Sequence, residues 1–198
     1  MSNQSFDSWL DTPRGRYLMA WEAHQFDLLV ADIFGFYAVQ LGLCGTDLLR
    51  ANRMSVRLRC AAYWPQAGID VFTEAEALPF ASQSLDLVLL PHVLEFSSHP
   101  HQVLREVERV LVPEGHVLIS GFNPFSLWGA RRVLAGNLGE TPWSGQYLSA
   151  SRIKDRLSLL GFEPRMLALG CYAPPVASEV WLRRWSFMDS VGSWGWPV

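Results

Sequence analysis

Residues 74–121 read EAEALPFASQSLDLVLLPHVLEFSSHPHQVLREVERVLVPEGHVLISG. Two nearly continuous apolar runs, LDLVLL at 85–90 and HVLIS at 116–120, are typical of strands that are buried on both faces. Between them, Pro100 is suited to a first helical turn and Pro113 to a helix end. Strand, helix and strand in this order predict a βαβ unit with parallel strands and a right-handed connection.

The rest of the chain continues this alternation of strands and helices. Further strands are predicted at Phe36–Leu41, Val56–Cys60, Ile69–Phe72 and Met166–Leu169. Further helices are predicted from Arg14 to Phe34 with a stop at Gly35, from Ser126 to Leu134, and from an N-cap at Ser149 to a stop at Gly161. The fold class predicted is α/β: a single domain with a Rossmann-like, mostly parallel sheet and helices on both faces.

The domain plan that we expect has three segments. They are an N-terminal helical segment at 1–35, an α/β domain at 36–170 with an insertion at 121–147, and a Trp-rich segment at 171–198. Since no closing strand is recognisable near the end, one expectation is that the natural domain continues past Val198.

Composition excludes several classes of protein. The chain has 198 residues, 49% of them hydrophobic and 18% charged, which is typical of a folded globular protein. A formal net charge of -3 provides no basic excess for nucleic acid. Three cysteines without CxxC spacing, and a polar start without a signal peptide, predict a cytoplasmic protein. Residues 28–45 are interpreted as a helix followed by a strand, so no membrane span is expected. A monomer and a homodimer both remain open.

In an open α/β sheet, ligands bind outside the carboxyl ends of the strands. The first such loop contains Gly42 and Gly45, where the backbone can approach a ligand closely. We expect a helix to follow this loop, with an amino terminus that stabilises a negative group. The alternative is an ordinary turn between a strand and a helix.

Several motifs occur together in a fixed order. An acidic residue precedes ALPF (74–80), an S-x-D-x-V strand follows at 84–88, LREVERVLVPEG lies at 104–115, and YLSASRIKDRLSLLGF lies at 147–162. This order resembles the class I S-adenosylmethionine-dependent methyltransferases, in particular those of ubiquinone and biotin biosynthesis. The resemblance covers about residues 36–169 and implies S-adenosyl-L-methionine as the cofactor.

The resemblance also implies a set of cofactor-binding residues. The loop after the first strand would hold the methionine end, Glu74 and Ala75 would face the adenine, and Pro91 and His92 would lie beside the sulfonium. The full set is Gln40, Gly42, Leu43, Gly45, Glu74, Ala75, Pro91 and His92. Asp86 falls within a strand, where a structural hydrogen bond is expected instead.

Two positions depart from the family pattern. The family ends its first strand with an acidic residue and a G-x-G-x-G loop, whereas this chain has Gln40 and only Gly42 and Gly45. The family also ends its second strand with an acidic residue that binds the ribose, and SVRLRCAAYW at 55–64 has none. Two functions therefore stay open. One is methyl transfer to a small or apolar acceptor, and the other is a non-catalytic protein of the same fold that binds a modified cofactor or a partner.

The sequence offers few groups for catalysis. Methyl transfer mainly requires the nucleophile to be held in line with the sulfonium. His92 is the candidate general base and Glu95 its partner, with a structural role for both as the alternative. The pair His99 and His101 lacks further ligand spacing, so no metal is expected.

Substrate contacts are expected in the insertion. Asn123-Pro124-Phe125 superficially matches an N-P-P-[FY] motif that grips exocyclic amines, but it follows the fifth strand and not the fourth. The alternative is a turn that leads into a helix capped by Ser126. The candidate substrate residues are Asn123, Phe125, Trp128 and Tyr147.

Overall fold

A computed structural model describes residues 3–63, 68–135 and 142–172. The helices are α1 (Asn3–Leu10), α2 (Pro13–Val30), α3 (Val93–Phe96), α4 (Pro100–Val110), α5 (Leu127–Ala135) and α6 (Ala150–Leu159). The strands are β1 (Tyr37–Leu41), β2 (Val56–Ala61), β3 (Val71–Phe72), β4 (Leu85–Pro91) and β5 (Leu111–Ser120).

The strands form one sheet in the order β3-β2-β1-β4-β5, and every neighbouring pair is parallel. In the centre, Val39 of β1 lies opposite Leu58 of β2 on one side and Val88 of β4 on the other. Val39 and Val88 are fully buried, as expected for central strands of a parallel sheet. The predicted α/β class with a parallel sheet is confirmed.

The chain divides into two compact units. The first unit is His24–Gly121 and contains the whole sheet with α3 and α4. The second unit combines Ser2–Ala23 with Phe122–Val198, and its described helices include α1, α5 and α6. Within the part of the chain that the structure describes, no helix is both long and apolar enough to cross a lipid bilayer.

The start of β1 is fixed by a carboxylate from β4. Asp86 Oδ2 accepts hydrogen bonds from the backbone N–H groups of Phe36, at 2.8 Å, and Tyr37, at 2.9 Å. Gly35 lies directly against this side chain, since a Cβ there would come within 2.4 Å of Asp86 Cβ. The structural role expected for Asp86 is confirmed, and Gly35 provides the space that it needs.

The helix predicted to extend to Phe34 ends earlier, at Val30. The Asn52 side-chain amide donates to the carbonyls of Val30, at 2.8 Å, and Ile33, at 3.0 Å. These contacts satisfy carbonyl groups that the end of a helix leaves without partners. A distant side chain, and not the expected Gly35, therefore marks where the helix stops.

Three further predictions are wrong. Pro113, expected at a helix end, lies within β5, because α4 already ends at Val110. Residues 42–55 form turns, so the expected helix after the glycine loop is absent from this connection. Residues 162–172 contain no strand, although one was predicted at Met166–Leu169. Met166 is 77% exposed, which shows that this apolar run is not covered by a sheet. The short helices α1 and α3 were not predicted.

Both predicted helix caps are present. The Ser149 hydroxyl accepts from the backbone N–H of Arg152 at the start of α6. The Ser126 hydroxyl accepts from the backbone N–H of Gly129, at 3.1 Å, at the start of α5. A short polar side chain thus satisfies a free donor in the first turn of each helix.

Candidate functional site

The predicted cofactor residues all lie in the first unit, at the ends of β1 and β4 and in the loops that follow β1, β3 and β4. Because the strands are parallel, their carboxyl ends meet at one edge of the sheet. The structure therefore brings Gln40, Gly42, Leu43, Gly45, Glu74, Ala75, Pro91 and His92 to this edge.

Gln40 organises the loop after β1 from inside. Its side chain is fully buried, and Nε2 lies 2.9–3.0 Å from the carbonyl oxygens of Gly42, Leu43 and Thr46. Its Oε1 accepts from the backbone N–H of Leu48 at 2.9 Å. Carbonyl oxygens around one end of the amide and an N–H at the other fix its orientation.

The neutral amide suits this loop better than a carboxylate would. A carboxylate cannot donate to the surrounding carbonyl oxygens, and burying an unpaired charge is costly. The loop held by Gln40 contains two successive residues in the left-handed region, Gly42 with φ 78° and Leu43 with φ 49°. Gln40 is therefore part of the loop's construction, which the sequence comparison with the family pattern did not reveal.

The loop after β1 is also tied to β2. The Cys60 carbonyl accepts from the Gly42 N–H at 2.7 Å and from the Cys44 thiol at 3.4 Å. Burial, with smaller effects of Cys44 and Asp70, raises the pKa of the Cys60 thiol to about 12. This thiol is therefore protonated at neutral pH and is not a nucleophile.

The loop after β3 presents Glu74 to solvent. The Thr73 hydroxyl lies 3.1 Å from the Glu74 carbonyl and 3.0 Å from that of Ala77, and the Ala77 N–H donates back to Glu74. The Glu74 side chain is exposed and accepts no hydrogen bond from the residues that the structure describes. Ala75 is half-buried beside it. Glu74 is thus available to a ligand at this edge.

The ALPF motif is held by α4. Arg109 donates to the carbonyls of Leu78 and Phe80, each at 3.0 Å, and Glu106 accepts from the Leu78 N–H at 3.1 Å. Arg109 and Glu106 also bind each other at 2.8 Å, and this hydrogen bond lowers the pKa of the Glu106 carboxyl. The LREVERVLVPEG motif, which contains Glu106 and Arg109, thus holds the ALPF motif in place, and this contact explains why the two motifs occur together. In the sequence, the opposite charges of Glu106 and Arg109, three residues apart on a predicted helix, are the feature that could have indicated this contact.

His92 follows β4 directly and has an unusual backbone conformation, with φ 54° and ψ 17°. It is 1% exposed, its N–H donates to the Ser120 carbonyl at 3.1 Å, and its Nδ1 lies 2.6 Å from Glu95 Oε2. Gly121 lies close to this carboxylate, since a Cβ there would be 3.2 Å from Oε1. Because Nδ1 faces Glu95, Nε2 is the ring nitrogen that does not take part in this contact.

The end of β2 offers no carboxylate for a ribose. The strand ends at Ala61, and Ala62 and Tyr63 follow. Asp70, on the loop before β3, uses its carboxylate to accept from the backbone N–H of Arg59 at 2.8 Å. Among the described residues, no group of three or more His, Cys, Asp or Glu side chains could hold a metal ion.

The candidate substrate residues lie in the second unit and do not form one group. Phe122 stacks with Trp128, at 5.6 Å between ring centroids, and with Tyr147, at 5.0 Å. Phe125 is 84% exposed, and the Asn123 side chain accepts from its backbone N–H at 3.0 Å. The rings of Phe6, Trp9, Phe122, Trp128, Trp143 and Tyr147 form what we call the aromatic cluster.

Comparisons with known proteins agree with this architecture. A family model described as a methyltransferase domain matches residues 41–119. Uncharacterized protein YafS of Escherichia coli is 32% identical over 160 residues, which are 79% of this chain and 65% of that protein. A malonyl-[acyl-carrier protein] O-methyltransferase of Halorhodospira halophila is 30% identical over 112 residues, 57% of this chain and 38% of that protein. The chain thus spans less than two thirds of each of these relatives.

Solved structures show the same fold. A SAM-dependent methyltransferase from Thermotoga maritima matches with a TM-score of 0.60 and 18% identity, over 81% of each chain. The all-parallel sheet thus has a Rossmann-like α/β fold, as in that methyltransferase. Residues 41–119 thus match a methyltransferase domain model, and the chain has the fold of solved S-adenosylmethionine-dependent methyltransferases.

Proposed function

We propose that this protein binds S-adenosylmethionine at the carboxyl edge of its sheet and transfers the methyl group to a small or apolar acceptor. The observation that supports this most directly is the buried Gln40 amide, which holds the loop after β1 in a fixed shape. A loop held in this way binds a ligand without first losing conformational entropy.

The residues at this edge fit most of the cofactor. A Cβ placed at Gly45 would meet nothing within 4 Å, so there is room in front of the loop. Glu74 is suited to accept from the exocyclic amine of adenine, with Ala75 beside it. The ribose of a bound cofactor would lack the carboxylate hydrogen bonds of the family pattern, because the end of β2 has no acidic residue. One missing charge-assisted hydrogen bond costs about 1.5–3 kcal/mol, or roughly tenfold or more in affinity.

Bound S-adenosylmethionine supplies a methyl group that its sulfonium already activates. The protein's task is to hold the acceptor in line and to exclude water. A hydroxyl or amine acceptor must also lose a proton. We propose that His92 Nε2 takes it, while Glu95 keeps the imidazole oriented through Nδ1–H. The strained backbone of His92 is the kind of outlier that is enriched at functional sites.

Calorimetric titration with S-adenosylmethionine and with S-adenosylhomocysteine tests the binding step. We expect micromolar dissociation constants that Glu74→Ala weakens about tenfold, as for a lost hydrogen bond to a charged group. Glu108→Ala removes an exposed carboxylate on α4 and is the matched control, with affinity unchanged. Absence of binding at millimolar ligand would overturn the proposal.

Transfer itself is tested with methyl-labelled cofactor and a panel of hydroxyl, amine and carboxylate acceptors. The name of the Halorhodospira relative supports inclusion of acyl carboxylates. With a hydroxyl or amine acceptor, we expect Glu95→Gln to lower kcat and shift its pH profile while the affinity for S-adenosylhomocysteine is unchanged. Tight cofactor binding without transfer to any acceptor would favour the non-catalytic alternative.

A further inference from the structure

One helix at the candidate site is too short to be stable by itself. α3 has four residues, Val93–Phe96, and an isolated helix of this length does not form in water. The helix carries the buried Glu95 and directly follows His92, whose Nδ1 contacts the Glu95 carboxylate. The position of this His92–Glu95 pair therefore depends on the contacts at the two ends of α3.

The sheet holds the start of α3, and the loop after β3 holds its end. At the start, the His92 N–H donates to a carbonyl of β5 at 3.1 Å. At the end, the Ser97 N–H donates to the Val93 carbonyl, and the Ser97 hydroxyl donates to Glu76 Oε1 at 2.6 Å. Glu76 lies two residues after Glu74, which the proposed function assigns to adenine. The Ser97–Glu76 hydrogen bond thus joins two parts of the candidate site.

The loop after β3 has its own anchor on one face of α4. The three anchoring side chains are spaced i, i+4 and i+7 along the helix, and they bind backbone groups of alternate residues in 76–80. The side chains are Gln102, Glu106 and Arg109, and the residues that they bind are Glu76, Leu78 and Phe80. Because this loop is fixed without α3, the hydrogen bond from Ser97 positions α3 against the loop, and not the reverse.

We propose that Ser97 is a positioning residue, and that its hydrogen bond to Glu76 keeps the His92–Glu95 pair in a fixed place relative to the loop after β3. A hydroxyl donates to a carboxylate more strongly than to a neutral group. The same hydroxyl accepts from the His99 N–H at 2.9 Å, which leaves its hydrogen for Glu76. The inference rests on the proposed function, in which His92 takes a proton from the acceptor and Glu95 orients the imidazole ring.

The test observes the His92 ring N–H by nuclear magnetic resonance in the ligand-free full chain. The other four histidines, His24, His99, His101 and His116, are exposed, so a ring N–H signal that exchanges slowly with solvent belongs to His92. In Ser97→Ala we expect this N–H to exchange about fivefold faster or more, because α3 and its Glu95 are held less firmly. Ser97→Thr keeps the hydroxyl and should restore slow exchange.

Two controls separate positioning from a general loss of stability. Ser98→Ala removes the hydroxyl of the neighbouring, exposed serine and should leave the exchange of the His92 ring unchanged. The backbone N–H of Val88, in the centre of the sheet, reports unfolding of the whole first unit and should exchange within about threefold of wild type in Ser97→Ala. Equal acceleration at His92 and Val88, or none at His92, would overturn the inference.

Glu76→Gln tests the same hydrogen bond from the other side, and it carries the test if Ser97→Ala does not fold. Its amide oxygen still accepts from the Ser97 hydroxyl, but without the charge. We expect exchange of the His92 ring N–H to accelerate about twofold, less than in Ser97→Ala. A rate equal to that of wild type would contradict the role of the Glu76 carboxylate.

Calorimetry separates this inference from the proposed function. S-adenosylhomocysteine should bind Ser97→Ala within about threefold of wild type, because α4 still holds the loop after β3, while methyl transfer should show a lower kcat at an unchanged KM for the cofactor. Loss of this affinity with an unchanged His92 signal would overturn the inference, because the hydrogen bond would then hold the loop. Absence of binding to wild type would overturn the proposed function, and the ligand-free His92 signal would still decide the role of Ser97.

Discussion

The connection from β4 to β5 and the connection from β1 to β2 both begin at the carboxyl edge of the sheet, but different interactions stabilise them. Between β4 and β5 the chain forms two helices, and α4 anchors the ALPF motif through Arg109 and Glu106. Between β1 and β2 it forms only turns, which a buried Gln40 amide holds from inside. The first connection retains the family motifs and the second departs from them.

The difference shows that a connection without the family's motif can still form an ordered loop at the candidate site. A helix stabilises its loop through packing of an apolar face, with Val103, Leu104 and Val107 of α4 all buried. Where no helix exists, side-chain hydrogen bonds to the backbone provide the order instead. Restoring the family's residue in such a loop should therefore damage it.

Gln40→Glu is the variant with the largest expected effect. It introduces the acidic residue of the family, yet places a buried carboxylate against carbonyl oxygens at 2.9–3.0 Å. An uncompensated buried charge costs about 3–5 kcal/mol. We expect urea unfolding at pH 7 to show this loss and calorimetry to show no binding of S-adenosylhomocysteine.

Gln83→Glu is the matched control for Gln40→Glu, because it makes the same chemical change at an exposed side chain. Its free energy of unfolding should stay within about 0.5 kcal/mol of that of the wild type. If Gln40→Glu were as stable as this control and bound the cofactor more tightly, the loop would be a degenerate version of the family's loop and not an alternative construction.

Gly35→Ala tests the contact between Gly35, just before β1, and Asp86 of β4. The new Cβ would lie 2.4 Å from Asp86 Cβ, so one of the two strands must shift. Overpacking of this kind costs about 1–3 kcal/mol, to be measured by denaturant unfolding. Gly45→Ala should be near neutral in the same assay, because its Cβ has open space. Equal stability of the two variants would contradict the close fit of Gly35 against β4.

Glu106→Gln should have the smallest effect and a defined pH dependence. The hydrogen bond from Arg109 holds the pKa of Glu106 below its ordinary value. A lowered pKa contributes stability above the unfolded value of about 4.3, and this contribution is lost as the pH falls below it. We expect wild type to exceed Glu106→Gln by roughly 0.5–1 kcal/mol at pH 7, in line with a partly exposed ion pair.

The same comparison at pH 3 should show a smaller gap, because Glu106 of the unfolded chain is then protonated and the lowered pKa of the folded state no longer contributes its full stability. Chemical unfolding of both proteins at the two pH values measures this difference. A gap that widens on acidification would contradict the role assigned to the Arg109 hydrogen bond.

Apolar patterning predicted most of the sheet. The runs at 36–41 and 85–90 became β1 and β4 because central parallel strands must be apolar on both faces. The run at 166–169 has the same pattern but no strand, since pattern alone does not supply a neighbour to pair with. The end of α2 was missed because Asn52, far along the chain, determines it.

The location of the candidate site could be predicted from the sequence, but the hydrogen bonds that shape its first loop could not. Strand ends placed the candidate residues at one edge, which the topology rule for α/β sheets requires. The role of Gln40 depends on carbonyl groups up to six residues away, and their orientation depends on Gly42 and Leu43 adopting positive φ. A leucine in that conformation has no recognisable sequence signature.

Tryptophan fluorescence can report on unfolding of the second unit, which contains the aromatic cluster. The four tryptophans of the described residues, Trp9, Trp21, Trp128 and Trp143, belong to that unit. By its number, only Trp64 of the nine tryptophans falls within 24–121, so the measurement uses Trp64→Phe. Far-ultraviolet circular dichroism, in contrast, also records the strands of the first unit. Intrinsic fluorescence and dichroism followed along one denaturation curve would thus show whether the two units melt together or in sequence.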